Sequence, residues 1–160
     1  MKRHLITAAG LSLLALSATG VAQQPASEVA TWSTTVVPVK SAGGERLYRV
    51  QIDGRIAAGY VVYASDFKAE LGPNPTRLRF AADSGVTAQG ELESTGTHKG
   101  KDKAFKVDYT YFEGEAKLAQ VVAVAPGTAR IVGTLRGQTC YEADGTCALF
   151  TSRIDLPLPD

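Results

Sequence analysis

From about position 30 onward, apolar and polar side chains alternate along most of this chain, and that period of two constrains its fold more than any other feature. Alternation of this kind marks strands with one buried face. Tyr48, Val50 and Ile52 fall on one side of such a strand, Arg49 and Gln51 on the other. Thr31 to Val39 reads as an earlier strand with Trp32 as a core anchor. Arg46 to Ile52 follows, then a turn at Asp53-Gly54 and a strand over Ala57 to Ala64. "LGPNPT", Leu71 to Thr76, is a rigid turn rich in Pro and Asn. It leads into Arg77 to Phe80, with Leu78 and Phe80 on one face. Further strands are predicted over Val86 to Leu92, Phe105 to Tyr111, Ala116 to Val124, Ala129 to Tyr141 and Thr146 to Leu156, with Asp155 to Asp160 as a Pro-punctuated tail. About nine strands at this spacing, with no 3.6-residue period sustained over three turns, predict an all-β chain: an immunoglobulin-like antiparallel β-sandwich. The polar stretch Ser94 to Phe105 is expected to be an exposed connection or a lid.

The N-terminus sets the expected compartment. Lys2 and Arg3 precede an apolar run from Leu5 to Leu16, and Gly20, Val21 and Ala22 close it. This is the pattern of a secretory signal peptide over residues 1–22, cut between Ala22 and Gln23. The run is shorter than the about 20 residues a membrane span needs. Residues 23–160 then form a single domain, with no later segment apolar enough to cross a bilayer. The 17 basic residues lose Lys2 and Arg3 against 16 acidic ones, a net charge near −1. Charges of both signs are interspersed, which argues against nucleic acid or a membrane surface as partner. A monomer in the bacterial periplasm is expected, where disulfides persist.

Cys140 and Cys147 are the only cysteines, in "GQTCYEADGTC". "EADG", Glu142 to Gly145, is a natural turn. With a four-residue loop there, Tyr141 pairs with Thr146 and Cys140 faces Cys147 on neighbouring antiparallel strands. Facing residues at a non-hydrogen-bonded pair have Cα atoms roughly 4.5 Å apart, within disulfide reach. Closing so short a loop removes unfolded-state entropy worth roughly 2.5 kcal/mol, and less when the turn is already half-formed. The residues alone leave two readings open, a structural staple and a labile redox pair.

Other chemistries are thinned by composition. His98 is the only histidine after the signal, so one chain cannot build a two-histidine metal site. A Cys140/Cys147/His98 site would lack a fourth good ligand other than a carboxylate. No Gly-rich phosphate loop, nucleophile elbow or Met-rich tract is present. Glu113 and Glu115 read as a solvated strand end. No cofactor and no metal are expected.

Several segments in order resemble the N-terminal periplasmic domain of the thiol:disulfide interchange protein DsbD. They are the Trp32 strand, "GYVVY" (Gly59 to Tyr63), "LGPNPTRLRF" (Leu71 to Phe80), "AFKVDYTYFEGEA" (Ala104 to Ala116) and the cysteine hairpin. The resemblance implies that Cys140 and Cys147 are a redox pair, with Cys147 forming the mixed disulfide and Cys140 resolving it. It implies Tyr63 as an active-site tyrosine. It also implies a cap whose tip runs from Lys101 through Asp102, Lys103 and Ala104 to the shielding Phe105. The sequence departs from the family where Ala148-Leu149-Phe150 replaces prolines and where Val61 replaces an aromatic. The chain stops at Asp160 without the family's membrane and thioredoxin-like domains, so its electron donor is expected to be another protein, a thioredoxin-fold or membrane thiol reductase. Oxidised periplasmic proteins would be its clients. A disulfide-stabilised sandwich that binds a partner without redox chemistry is the alternative.

Overall fold

The computed structural model describes residues 26–40, 43, 45–68, 70–102 and 105–159. The expected signal peptide, and Lys103 and Ala104 of the expected cap, lie outside the described residues. A four-residue helix, α1 (Ala26–Val29), leads into β1 (Ala30–Val39), β2 (Arg46–Ile56), β3 (Tyr60–Tyr63) and β4 (Arg77–Phe80). Then come β5 (Val86–Thr95), β6 (His98–Lys101), β7 (Asp108–Glu113), β8 (Glu115–Val124), β9 (Arg130–Tyr141) and β10 (Cys147–Pro157). The chain is therefore all-β, an antiparallel sandwich of two sheets. One sheet runs β1-β2-β8-β5, the other β10-β9-β3-β7-β6, with β4 also paired to β9.

The alternation does what its period requires. Val50 and Ile52 of β2, Val62 of β3, Phe112 of β7, Leu118 and Val122 of β8, and Ile131 and Leu135 of β9 all point inward and are buried. Each large apolar side chain so buried contributes about 1.5–3 kcal/mol. Trp32 is half-buried and its ring stacks on Phe150, centroids 5.5 Å apart, tying β1 of one sheet to β10 of the other. Gln120, buried in β8, donates to the carbonyls of Gln89 and Gly90 at 3.3 and 3.2 Å, where the register of β5 shifts.

Four expectations are corrected. Asp53-Gly54 is not a turn: β2 runs on to Ile56, and Gly54 pairs with Trp32. A Cβ on Gly54 would come within 2.5 Å of the Trp32 ring, so glycine is there to admit the indole. The turn falls instead at Ala57 to Gly59, which shortens the expected Ala57–Ala64 strand to β3. The polar stretch from Ser94 is not one long loop, because its first residues finish β5 and His98–Lys101 forms the additional strand β6. Hairpin contacts hold β6 without any apolar face: His98 lies against Tyr111 at 5.5 Å, Lys101 pairs with Asp108 at 3.8 Å, and the Asp102 amide donates to the Val107 carbonyl. The Pro-punctuated tail begins later than expected, since β10 extends through Pro157 and buries Leu156. As an edge strand, β10 can carry proline there without losing a ladder bond on its free side.

Between β3 and β4 the chain leaves the sheet and returns to pair with β9, the strand that β3 also pairs with. The neck of this excursion is closed by Thr76, whose amide donates to the Ala64 carbonyl at 3.0 Å and whose hydroxyl donates to the Tyr63 carbonyl at 2.5 Å. An excursion whose ends are joined in this way is an Ω-loop. Pro73 within it is buried.

Candidate functional site

The "EADG" turn closes as its residues demand. Tyr141 N–H donates to the Thr146 carbonyl at 2.8 Å and Gly145 N–H to the Tyr141 carbonyl at 2.9 Å. Asp144 accepts from the Thr146 amide at 2.8 Å. Gly145 takes φ +73°, a left-handed conformation that glycine adopts without Cβ strain. The turn sets the register, so Cys140 faces Cys147 directly and the two are joined by a disulfide with Cα atoms 4.0 Å apart.

The two sulfurs have unlike surroundings. Cys140 is in the middle of the sheet, paired to Cys147 on one flank and Val61 on the other, and is 6% exposed. Cys147 opens the edge strand and is exposed. Tyr63 Oη lies 3.5 Å from Cys140 Sγ; a disulfide sulfur carries no proton, so the phenol donates. Gln138 Nε2 donates to the same sulfur at 3.7 Å. Cys147 Sγ instead lies 3.3 Å from the carbonyl oxygen of Gly145. That oxygen can only accept, whereas Tyr63 Oη and Gln138 Nε2 present donors to Cys140.

Beside the disulfide is a cleft of about 260 Å3, walled by Val61, Tyr63, Tyr109, Tyr111 and the hairpin. The ring of Tyr63 meets Tyr109 edge-on at 5.1 Å and Phe67 at 6.3 Å, which fixes its orientation behind Cys140. Burial pushes the Tyr63 phenol up to about 12, with Tyr109 and the Asp102 carboxylate adding to the effect. It therefore remains a donor at any ordinary pH. Tyr111 is raised too, first by desolvation and then by Glu113.

Of the residues named from sequence, Cys140, Cys147 and Tyr63 are brought together. Asp102 acts on Tyr63 through its charge and accepts from the Phe105 amide at 2.9 Å. Phe105 is 52% exposed, and its ring lies over Gly72, 3.5 Å from where a Cβ would begin, outside the walls of the cleft. Gln138, Tyr109, Phe67 and the Gly145 carbonyl were not singled out from sequence. The period of two could have flagged Gln138, because it shares an outward face with Cys140.

No protein-family model matches the chain, and no curated protein matches it significantly. Solved structures do. The chain is similar to the DsbD N-terminal domain of Neisseria meningitidis in its reduced form, at 19% identity and a TM-score of 0.53, over 86% of this chain and 91% of that one. It is similar to the N-terminal periplasmic domain of ScsB from Proteus mirabilis at 12% identity and a TM-score of 0.55. That match covers 84% of this chain but only 49% of the ScsB chain. At these identities the likeness is one of fold: the chain shares the sandwich of the DsbD N-terminal domain.

Proposed function

We propose that the chain is a periplasmic thiol–disulfide exchange domain of the DsbD N-terminal type, exported by residues 1–22 and working through Cys140 and Cys147. The observation that carries this reading is the asymmetry of the bond. One sulfur belongs to an exposed edge residue, and the other is buried among hydrogen-bond donors. A staple needs no such difference. Exchange does, because rate depends on access to the attacked sulfur and on how well the leaving sulfur carries charge.

In the proposed reaction a donor protein's thiolate attacks Cys147 Sγ, and Cys140 leaves as a thiolate. A second donor thiol then resolves the mixed disulfide and releases the dithiol form. The dithiol passes both electrons to an oxidised periplasmic client by the reverse steps. The donor is a thioredoxin-fold or membrane thiol reductase, the class that presents an activated thiol to an exposed disulfide. The Lys101–Phe105 segment is the proposed cap, with Phe105 as its shield. Asp102 already borders the site through Tyr63, and Phe105 leans on the neighbouring excursion.

Equilibration of the purified protein in glutathione redox buffers tests the reading. A bond that exchanges while the far-ultraviolet circular dichroism stays native supports it. A bond that resists dithiothreitol in the folded state, or a fold lost on reduction, favours the non-redox binding module. As a second arm, Cys140→Ala should trap a mixed disulfide through Cys147 with a thioredoxin-fold protein.

A further inference from the structure

Gln138 precedes Cys140 by two positions on the same face of β9, and it is held on one side while reaching to the other. On that flank of β9, β4 pairs as far as Arg136 and β3 takes over at Thr139. Gly137 and Gln138 fall in the gap. The Ω-loop between β3 and β4 fills it: Asn74 donates to Gln138 Oε1 twice, from its backbone N–H at 3.0 Å and from Nδ2 at 2.7 Å. A backbone amide can only donate, so the Gln138 atom it meets must be the oxygen. With that oxygen's two acceptor positions occupied, the carboxamide is fixed and its N–H2 is turned to Cys140 Sγ at 3.7 Å. A glutamine on a sheet surface otherwise loses rotamer entropy to hold one geometry, and here Asn74 offsets that loss.

We propose that Gln138, locked by Asn74, is a positioning residue that selects Cys140 as the sulfur that leaves and ties its reactivity to the loop on which Phe105 rests. This rests on the exchange reading above. When a donor thiolate attacks Cys147 Sγ, a donor–Cys147 S–S bond forms and the Cys140–Cys147 bond breaks. The bonding electron pair goes to Cys140 Sγ, and no proton moves in that step. The new thiolate finds the Tyr63 O–H and the Gln138 N–H already aimed at it. Attack at Cys140 would place the same charge on Cys147, against the Gly145 carbonyl oxygen. Preorganised donors at the site of developing charge lower the barrier for the first route and leave the second unassisted. Asn74 touches neither sulfur in this scheme. Its influence travels through one side chain.

The test uses the single Cys140 thiol of the Cys147→Ala protein, titrated by its thiolate absorbance. Gln138→Leu should raise the titration midpoint by about one unit, a tenfold loss of thiolate at fixed pH. Asn74→Ala should shift it in the same direction. Gln138→Glu keeps the acceptor for Asn74 but has no N–H to give, so it should fail to restore the midpoint. With both cysteines present, Gln138→Leu and Asn74→Ala should each slow reduction by dithiothreitol by about threefold or more, with Tm little changed. An unchanged midpoint in either variant overturns the proposal. Asn74 lies in an exposed turn, so the result does not depend on Gln138→Leu folding well. The titration involves no partner and no exchange, so its failure leaves the exchange reading standing, and a failure of exchange leaves the titration readable.

Discussion

At the scale of single residues, Tyr63 makes the stability of the fold depend on pH at the alkaline end. Its phenol ionises near 10 in the unfolded chain and is pushed up to about 12 in the fold. The folded state therefore holds the phenolic proton more tightly. The associated stability is present below pH 10 and is lost as pH rises from 10 toward 12. Denaturant midpoints measured at pH 9 and 11.5 should fall more for the native protein than for Tyr63→Phe. The same variant removes a donor from Cys140 and should slow thiol exchange severalfold at neutral pH. Cys140, Cys147 and Tyr63 were legible in the sequence, the cysteines by their turn and the tyrosine through the family resemblance. Gln138 was not, because the residue that orients it is Asn74, brought to it only by the closing of the sheet.

At the scale of elements, the informative cases are those where local propensity lost to packing. Asp53-Gly54 carries a strong turn signature, yet β2 runs through it because Trp32 needs the space above a glycine. Gly54→Ala should destabilise the protein by about 1–3 kcal/mol, the usual cost of forcing an extra carbon into a packed site. Urea unfolding measures it directly, and an effect of a few tenths would mean that Trp32 yields easily. β6 was invisible for the opposite reason. "HKGK" has no apolar period to read, and its strand form comes from pairing with β7. The strands with a clear alternation, β8 and β9 above all, were placed to within a residue or two of their ends.

For the whole molecule, the exchange reading predicts that stability resides more in the sandwich interior than in the sulfur bridge. Reducing the disulfide should cost at most about 2.5 kcal/mol, the entropy released by so short a loop. Leu135→Ala, which empties a fully buried position on β9, should cost about 2–5 kcal/mol. Thermal melts of reduced protein and of Leu135→Ala should therefore rank in that order. A reduced protein that melts below the Leu135 variant would make the bridge a structural staple after all.

β9 is braced along both flanks, whereas β10 is bound on one side only. Once the bridge opens, the two halves of the hairpin inherit different freedoms. Cys140 is held by paired strands on both sides, and Cys147, the first residue of an outer strand, by β9 alone. A client joined to Cys147 would thus hang from the outermost strand, while the Cys140 sulfur that would release it is anchored from both flanks.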